Sequence, residues 1–422
     1  MRHPFSYTAK FFFAALIVIL TIAGSALAEQ YAVIYRFKGT PDGGSPTGDL
    51  LSDSANNLYG TTSGGGTADL GTVYQLTPQS AGGVWTETVL YSFQTGTDGR
   101  SPVAGLVRDA AGNLYGTTFQ GGTFGSGTVF ELSPPATPGN PWTESILHNF
   151  AGDTDGANPE CKLLLGKGGV LFGTTFSNTG TVFKLIPPAV PGAAWTNHTL
   201  YTFTGGSDGS SPWPGVISDE EGNLYGVTES GGLNGNGTAF ELSPPAADGR
   251  KWTETTLHSF GPTEGMNPVG ELMLDQSGNV YGMTSIGPAT DGFGCGVVFQ
   301  LVPPASQGES WTENLLYTFT VGRGGCDEYS GVVFDSQGNL LGANSGDGGL
   351  NGNGAIFELS PPAITGQAWA ETTLHDFLGG NDGLYSYSTL ITTGKGGFYY
   401  GATIEGGGDR DTGYGTVFEV KP

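Results

Sequence analysis

A sevenfold internal repeat decides what this chain can fold into. The stretch from Leu106 to Pro135, LVRDAAGNLYGTTFQGGTFGSGTVFELSPP, is one copy of a unit that recurs along the chain. A period of this kind is the mark of a solenoid, a propeller or a tandem array. The landmark Tyr115-Gly116 returns as Tyr59-Gly60, Phe172-Gly173, Tyr225-Gly226, Tyr281-Gly282, Leu341-Gly342 and Tyr400-Gly401. A second landmark, GTVF, begins at Gly71, Gly127, Gly180, Gly237, Gly296, Gly354 and Gly415, with conservative variation. The third is a tryptophan at 85, 142, 195, 252, 311 and 369, at spacings of 57, 53, 57, 59 and 58.

Each unit carries four strand signals. In the second they cover Val103–Asp109, Asn113–Thr118, Thr128–Ser133 and Trp142–Phe150. These runs are rich in Val, Leu, Phe, Tyr and Thr, which suit a pleated, half-buried surface. Asp109 to Asn113 reads as a tight hairpin, because Asp bonds to backbone ahead of it and Gly accepts positive φ. Pro134-Pro135 cannot donate to a ladder and belongs in a connection. Four antiparallel strands cannot hide both faces alone, whereas seven copies arranged radially can. The sequence therefore predicts an all-β, seven-bladed β-propeller over residues 29–422. A β-solenoid is the runner-up, disfavoured because its coils are shorter than these units. The first strand after the leader, Tyr31–Phe37, matches a fourth strand, and the last unit ends on its third strand at Val417–Val420. The N-terminal strand is expected to complete the last blade and close the ring.

Residues 1–28 read as a cleaved signal peptide. Arg2, His3 and Lys10 precede the apolar run Phe11–Ile22, and Ala26-Leu27-Ala28 is a small-x-small cleavage site. No later stretch approaches membrane-spanning length, so a secreted, extracellular, periplasmic or surface-held monomer is expected. Without the leader the chain has 13 basic and 39 acidic residues, a net charge of −26. That field repels nucleic acid and anionic lipid. An exported protein can also oxidise its thiols. Cys295 precedes the third strand of blade five and Cys326 lies in the loop leaving that blade, on the same face, so a Cys295–Cys326 disulfide is expected. Cys161 opens a first strand and reads as a small buried apolar side chain.

Repetition separates scaffold from chemistry. The loops leaving the blades share D-G-x-x-P, from Asp42, Asp98, Asp155 and Asp208 onward, with variants at Glu264 and Asp382. Ca²⁺ wants about six or more oxygen ligands. Only Asp153 and Asp155 offer two carboxylates in one loop, so the turn reading leads and Ca²⁺ at that pair is the alternative. No other cofactor is expected. His148, His258 and His375 replace a fourth-strand tyrosine, and His198 lies on a fourth strand too. Spaced around the ring, they are expected to be structural rather than a metal cluster. The glutamates at 131, 241, 358 and 419, and at 87, 144, 254, 313 and 371, recur with the repeat and read as scaffold. Gly166-Lys167-Gly168-Gly169 and Gly394-Lys395-Gly396-Gly397 replace the hairpin of the other units and lack the phosphate-loop pattern, so they are turns.

The departures from the repeat are the candidate site. Trp213 stands where a first strand enters the channel and is the only tryptophan off the repeat position. Glu160 holds the matching place one blade earlier. Arg323, Asp327, Glu328 and Tyr329 replace the D-G-x-x-P loop of blade five. Asp409, Arg410, Asp411 and Tyr414 occupy an enlarged loop of blade seven, and Asp291 an enlarged loop of blade five. An exposed aromatic with carboxylates and an arginine suits a sugar ring; ordinary drift between repeats is the alternative.

The signature G-N-L-Y-G-T-T … G-G … G-T-V-F-E-L-S-P-P resembles the Gloeo/Verruco, or GloVer, tandem repeats of secreted bacterial proteins, over residues 31–422. The resemblance implies an exported protein with a propeller-like repeat fold and carries over no catalytic residue. Family members often end in a surface anchor; this chain stops at Lys421-Pro422, just after its last strand, which speaks against one here. Two functional readings stand. One is a propeller that binds an extracellular glycan or protein on its loop-bearing face. The other is an enzyme on extracellular polysaccharide using two channel-mouth carboxylates, whose separation would be ~5–9.5 Å; Glu160, Asp327, Asp409 and Asp411 are its candidates.

Overall fold

The computed structural model describes residues 30–79, 85–152, 154–190, 192–246, 251–288, 294–306, 308–320, 329–346, 351–364, 367–394, 396–408 and 413–422. Seven four-stranded antiparallel sheets follow one another as blades. Blade two is built from Val107–Arg108, Leu114–Thr118, Thr128–Ser133 and Thr143–Asn149. The second, third and fourth strands match the sequence expectation to within a few residues. The first is much shorter, because of the expected Val103–Asp109 only Val107 and Arg108 pair with the second strand. Blade five alone has a long first strand, Met266–Leu274. Elsewhere the preceding segment is rich in Pro and Gly, which remove ladder donors and stiffness. The ring closes as expected. Gln30–Arg36 pairs antiparallel with Thr416–Lys421, in register Tyr31 with Val420 and Val33 with Phe418.

Aromatic contacts between neighbouring blades hold the ring together. The phenylalanine ending each fourth strand meets the third-strand aromatic of the next blade. Phe93 and Phe130 lie 5.3 Å apart, Phe150 and Phe183 5.1 Å, and Phe203 and Phe240 5.0 Å between ring centroids. Phe37 against Tyr74 and Phe377 against Phe418 carry the pattern across the closure. Both rings of each of these pairs are almost wholly buried. Tilted aromatic pairs of this kind contribute about 0.5–1.5 kcal/mol each beyond their burial. The same rings explain the glycine of the Tyr-Gly landmark. A Cβ on Gly116 would lie 2.7 Å from Phe130 Cζ, and one on Gly60 2.4 Å from the Tyr74 hydroxyl. No side chain fits there.

The hairpin aspartates act as the sequence suggests. Asp53 accepts from the backbone of Ala55 and Asn57, from the Asn57 amide and from the Tyr59 hydroxyl. Asp109 and Asp219 repeat the arrangement. Residues Lys167–Gly169 form a single 3₁₀ turn in place of this hairpin. In the D-G-x-x-P loops the aspartate closes a turn onto backbone four residues earlier and takes a bond from the fourth strand. Asp98 accepts from Gln94 N and from the Tyr91 hydroxyl, at 2.7 and 2.9 Å. Asp155 takes Ala151 N and the His148 ring, and Asp382 takes Leu378 N and the His375 ring. These two histidines thus stand in for tyrosine hydroxyls.

Candidate functional site

The innermost residues of the blades face a central channel, and their sequence differs from blade to blade. Counting from the residue that opens each first-strand segment, a proline in five blades and Glu328 and Ser386 in blades six and seven, the next residue is small or aliphatic in three blades (Thr47, Val103, Val269). In the others it is Glu160, Trp213, Tyr329 and Tyr387. Two residues further on, three blades have Gly105, Gly215 and Gly331, and four have Asp49, Lys162, Glu271 and Thr389. All eight of these larger or charged side chains line one cavity of about 220 Å³.

The deeper ring is an ion triad. Lys162 Nζ lies 2.8 Å from Glu271 Oε2 and 3.5 Å from Asp49 Oδ2, which joins blades three, five and one across the channel. Thr389 N donates to the other Asp49 oxygen at 2.6 Å, and the Thr389 hydroxyl accepts from Gly331 N at 3.0 Å. Burial opposes the Lys162 charge, but Glu271 and then Asp49 outweigh it and hold the ammonium's pKa above its ordinary value. Burial pushes the Glu271 carboxyl up, against the pull of Lys162. The intervening glycines are a steric requirement. A Cβ on Gly105 would stand 2.8 Å from the Asp49 carbonyl oxygen, and one on Gly331 2.6 Å from that of Glu271.

The outer ring is aromatic with one acid. The Trp213 and Tyr329 rings lie 5.5 Å apart and the Tyr329 and Tyr387 rings 4.9 Å apart, so the three form a continuous wall. Beside them Glu160 is pushed up to about 7 by burial and then by the Glu229 carboxylate of blade four. Burial raises Glu229 as well. At neutral pH the mouth thus offers aromatic faces and a carboxyl group shared between its acid and base forms.

Of the residues singled out by sequence, Trp213, Glu160 and Tyr329 come together here. Tyr414 does not: it is half exposed, and its ring packs over Gly39 and Gly44 where blade seven meets blade one. Arg323, Asp327, Glu328, Asp409, Arg410, Asp411, Asp291, Cys326 and Asp153 lie outside the described residues. Cys295 is disulfide-bonded. Cys161 is a buried free thiol whose sulfur bonds to Thr174, and burial pushes its pKa up to about 11, far from a nucleophile's. Both Asp155 oxygens already accept from Ala151 N. Sequence reading missed Asp49, Lys162, Glu271, Tyr387 and Glu229. Aligning the seven first-strand segments on the position that is proline in five of them would have exposed the first four.

Among the described residues no helix is long and apolar enough to cross a membrane. A sequence profile of the Gloeobacter/Verrucomicrobia repeat family matches residues 16–190 and 176–418. No curated protein matches the sequence. Among solved structures, the chain is similar to the extracellular domain of a putative one-component system from B. thetaiotaomicron. Identity is 12% and the TM-score 0.54, over 93% of this chain and 41% of that one. It is also similar to PorZ, a surface component of the type-IX secretion system of Porphyromonas gingivalis, at 14% identity and a TM-score of 0.53, over 92% and 48%. A putative 6-phosphogluconolactonase from Bacteroides uniformis matches at 14% and 0.50, over 80% and 86%. The chain spans less than half the length of the first two. At such identities the likeness is one of fold, which hosts many functions.

Proposed function

We propose that this chain, which belongs to the Gloeobacter/Verrucomicrobia repeat family, is an exported propeller that binds one sugar ring of an extracellular glycan at its channel mouth. The observation that carries the reading is the aromatic wall of Trp213, Tyr329 and Tyr387 beside carboxylates in one small cavity. Ring faces cover the apolar C–H surface of a sugar, and carboxylates accept from its hydroxyls. Apolar walls with a few placed polar groups are the usual make-up of a small-molecule site. The cavity is below the roughly 300–1,000 Å³ of drug-sized sites, which favours a single ring over a longer segment. Charge favours a neutral ligand, since Lys162 is already matched by Glu271 and Asp49. The chain's net negative charge disfavours anions.

The test is a glycan-array screen of the chain lacking residues 1–28, with Trp213→Ala beside it. Saturable binding that the variant loses supports the reading. Absence of binding to any glycan, or binding indifferent to Trp213, overturns it. A second reading, glycan hydrolysis, rests on Glu160, whose pKa near 7 suits a group that gives and takes a proton at working pH. Glu229 would be its partner. Hydrolysis of a bound glycan abolished by Glu160→Gln would establish it; binding without turnover would leave the lectin-like reading alone.

A further inference from the structure

At the six seams whose turns lie among the described residues, three side chains come together. They are a fourth-strand Tyr or His, the acid of the following turn, and the residue two places after the tryptophan position in the next blade. At three seams the phenol donates to the aspartate: Tyr35 to Asp42, Tyr91 to Asp98 and Tyr201 to Asp208, at 2.8–3.0 Å. At two others a histidine takes the same place, His148 on Asp155 at 3.0 Å and His375 on Asp382 at 2.9 Å. The seam between blades four and five departs from both patterns. It combines His258 with Glu264 in place of aspartate, and with Glu313 of blade five.

We propose that His258, Glu264 and Glu313 form a binding site for a divalent first-row transition metal, which ties blade four to blade five. One ligand atom from each residue lies within 4.8 Å of the others. His258 Nε2 stands 3.5 Å from Glu264 Oε1 and 3.8 Å from Glu313 Oε2. Tetrahedral bonds of about 2.0–2.2 Å put neighbouring ligand atoms roughly 3.4 Å apart, so small side-chain adjustments close the site.

A second observation is independent of this spacing. His258 Nε2 is sealed from solvent and makes no hydrogen bond, whereas His148 and His375 are bonded to their aspartates. Glu313 Oε1 is buried and unpartnered too, as are Glu87 Oε1, Glu144 Oε1 and Asn197 Oδ1 at the same place in other blades, so the histidine nitrogen is what sets this seam apart. Buried polar atoms are nearly always satisfied, and an exception calls for a missing partner. A cation between the three side chains supplies that partner. One imidazole and two carboxylates suit zinc, cobalt or manganese rather than the all-oxygen shells of calcium and magnesium. The Glu264 side chain is 32% exposed, so the cluster is reachable from solvent.

The test strips the chain with a chelator and titrates it with zinc chloride, followed by calorimetry and by thermal melting. One equivalent of zinc should bind and raise the Tm, while magnesium and calcium should do neither. Cobalt(II) should give a visible absorption band from a nitrogen-containing site. The double variant His258→Tyr with Glu264→Asp restores the pair found at the neighbouring seams. It should fold and melt like the metal-free parent and bind zinc at least about tenfold more weakly. Glu313→Gln, which keeps the side chain's shape, gives a second reading of the same loss. The proposal is overturned if the parent shows only weak, unsaturable zinc binding. It is equally overturned if binding and the melting shift survive in the double variant or in Glu313→Gln.

Discussion

Lys162→Met removes the single cation of the channel triad and leaves Glu271 and Asp49 facing each other. Breaking a buried ion pair from one side costs about 3–5 kcal/mol. These side chains are 25%, 27% and 13% exposed, which lowers the expectation to about 2–3 kcal/mol. The entropy of unfolding is about 2.1 cal/mol/K per residue, or near 0.8 kcal/mol/K for roughly 390 residues, so the melting temperature should fall by about 3 °C. The loss should depend on pH. The folded pKa of Glu271 lies above its ordinary value even with Lys162 present. Its contribution is therefore full in acid, below the unfolded value, and is lost as pH rises. Without the ammonium it rises further, so the gap between variant and parent should be widest above pH 7 and close toward pH 4. Adding Glu271→Gln to the variant should recover most of the loss, because Asp49 then faces a neutral amide instead of a second acid and still accepts from Thr389 N. Melting curves from pH 4 to 8 on the three proteins decide the matter. A variant as stable as the parent at pH 8, or a gap that ignores pH, would refute the account of the triad.

Other expectations follow from the same geometry. Glu160→Gln should leave stability unchanged below about pH 4.5 and raise it above the parent's as pH passes about 7, since the parent's raised pKa contributes only while the carboxyl is protonated; parallel melting curves would count against it. Gly116→Ala places a Cβ 2.7 Å from Phe130 and 2.9 Å from Leu106. Overpacking of this kind costs about 1–3 kcal/mol, measurable by denaturant titration. Peptide mapping without reduction should recover Cys295 linked to Cys326, and Cys161 should react with a thiol reagent only after unfolding.

The architecture was legible in the sequence because each repeated residue does the same physical job in every blade. The Tyr-Gly glycine accommodates the third-strand aromatic, and the Phe after each fourth strand packs on the next blade, so spacing alone revealed the ring and its closure. Strand length was misjudged only at the first strand. There Val103 to Leu106 faces the channel or the core without pairing, and apolar character does not reveal pairing. The site was half legible. Trp213 and Glu160 stand out because they break a pattern of small residues, whereas Lys162, Asp49 and Glu271 were hidden. They are ordinary charged residues in a chain rich in acids, and only superposing the seven strands shows that they meet. The histidines were judged by their distance from one another, which is large. Their carboxylate neighbours come from the next turn and the next blade, contacts that no sequence spacing displays.

These omissions share a cause that bears on where function arises in a repeat ring. A position used identically in seven blades cannot change without straining a packed seam. Gly116 and Phe130 are of this kind, each fixed by the other. The larger side chains of the outer channel ring contact mostly their counterparts in other blades and border the cavity, so a change there disturbs fewer packed neighbours. Lys162 is tolerated because Gly215 presents no side chain against it and two acids answer its charge. The outer-rim triplets lie between these cases. Tyr–Asp is adequate at three seams and His–Asp at two, so the combination His258, Glu264 and Glu313 was reached by substitutions that leave the aromatic seam beneath it intact, with Phe260 still 5.0 Å from Phe299. Variation in this fold is therefore expected to concentrate in the channel rings and the rim triplets. Saturation mutagenesis scored by folding should find the Tyr-Gly glycines and seam phenylalanines intolerant, and positions 47, 103, 160, 213 and 387 permissive. A scan in which the channel positions proved as intolerant as the seams would mean that the ring needs them for folding, and the case for a ligand there would lose its footing.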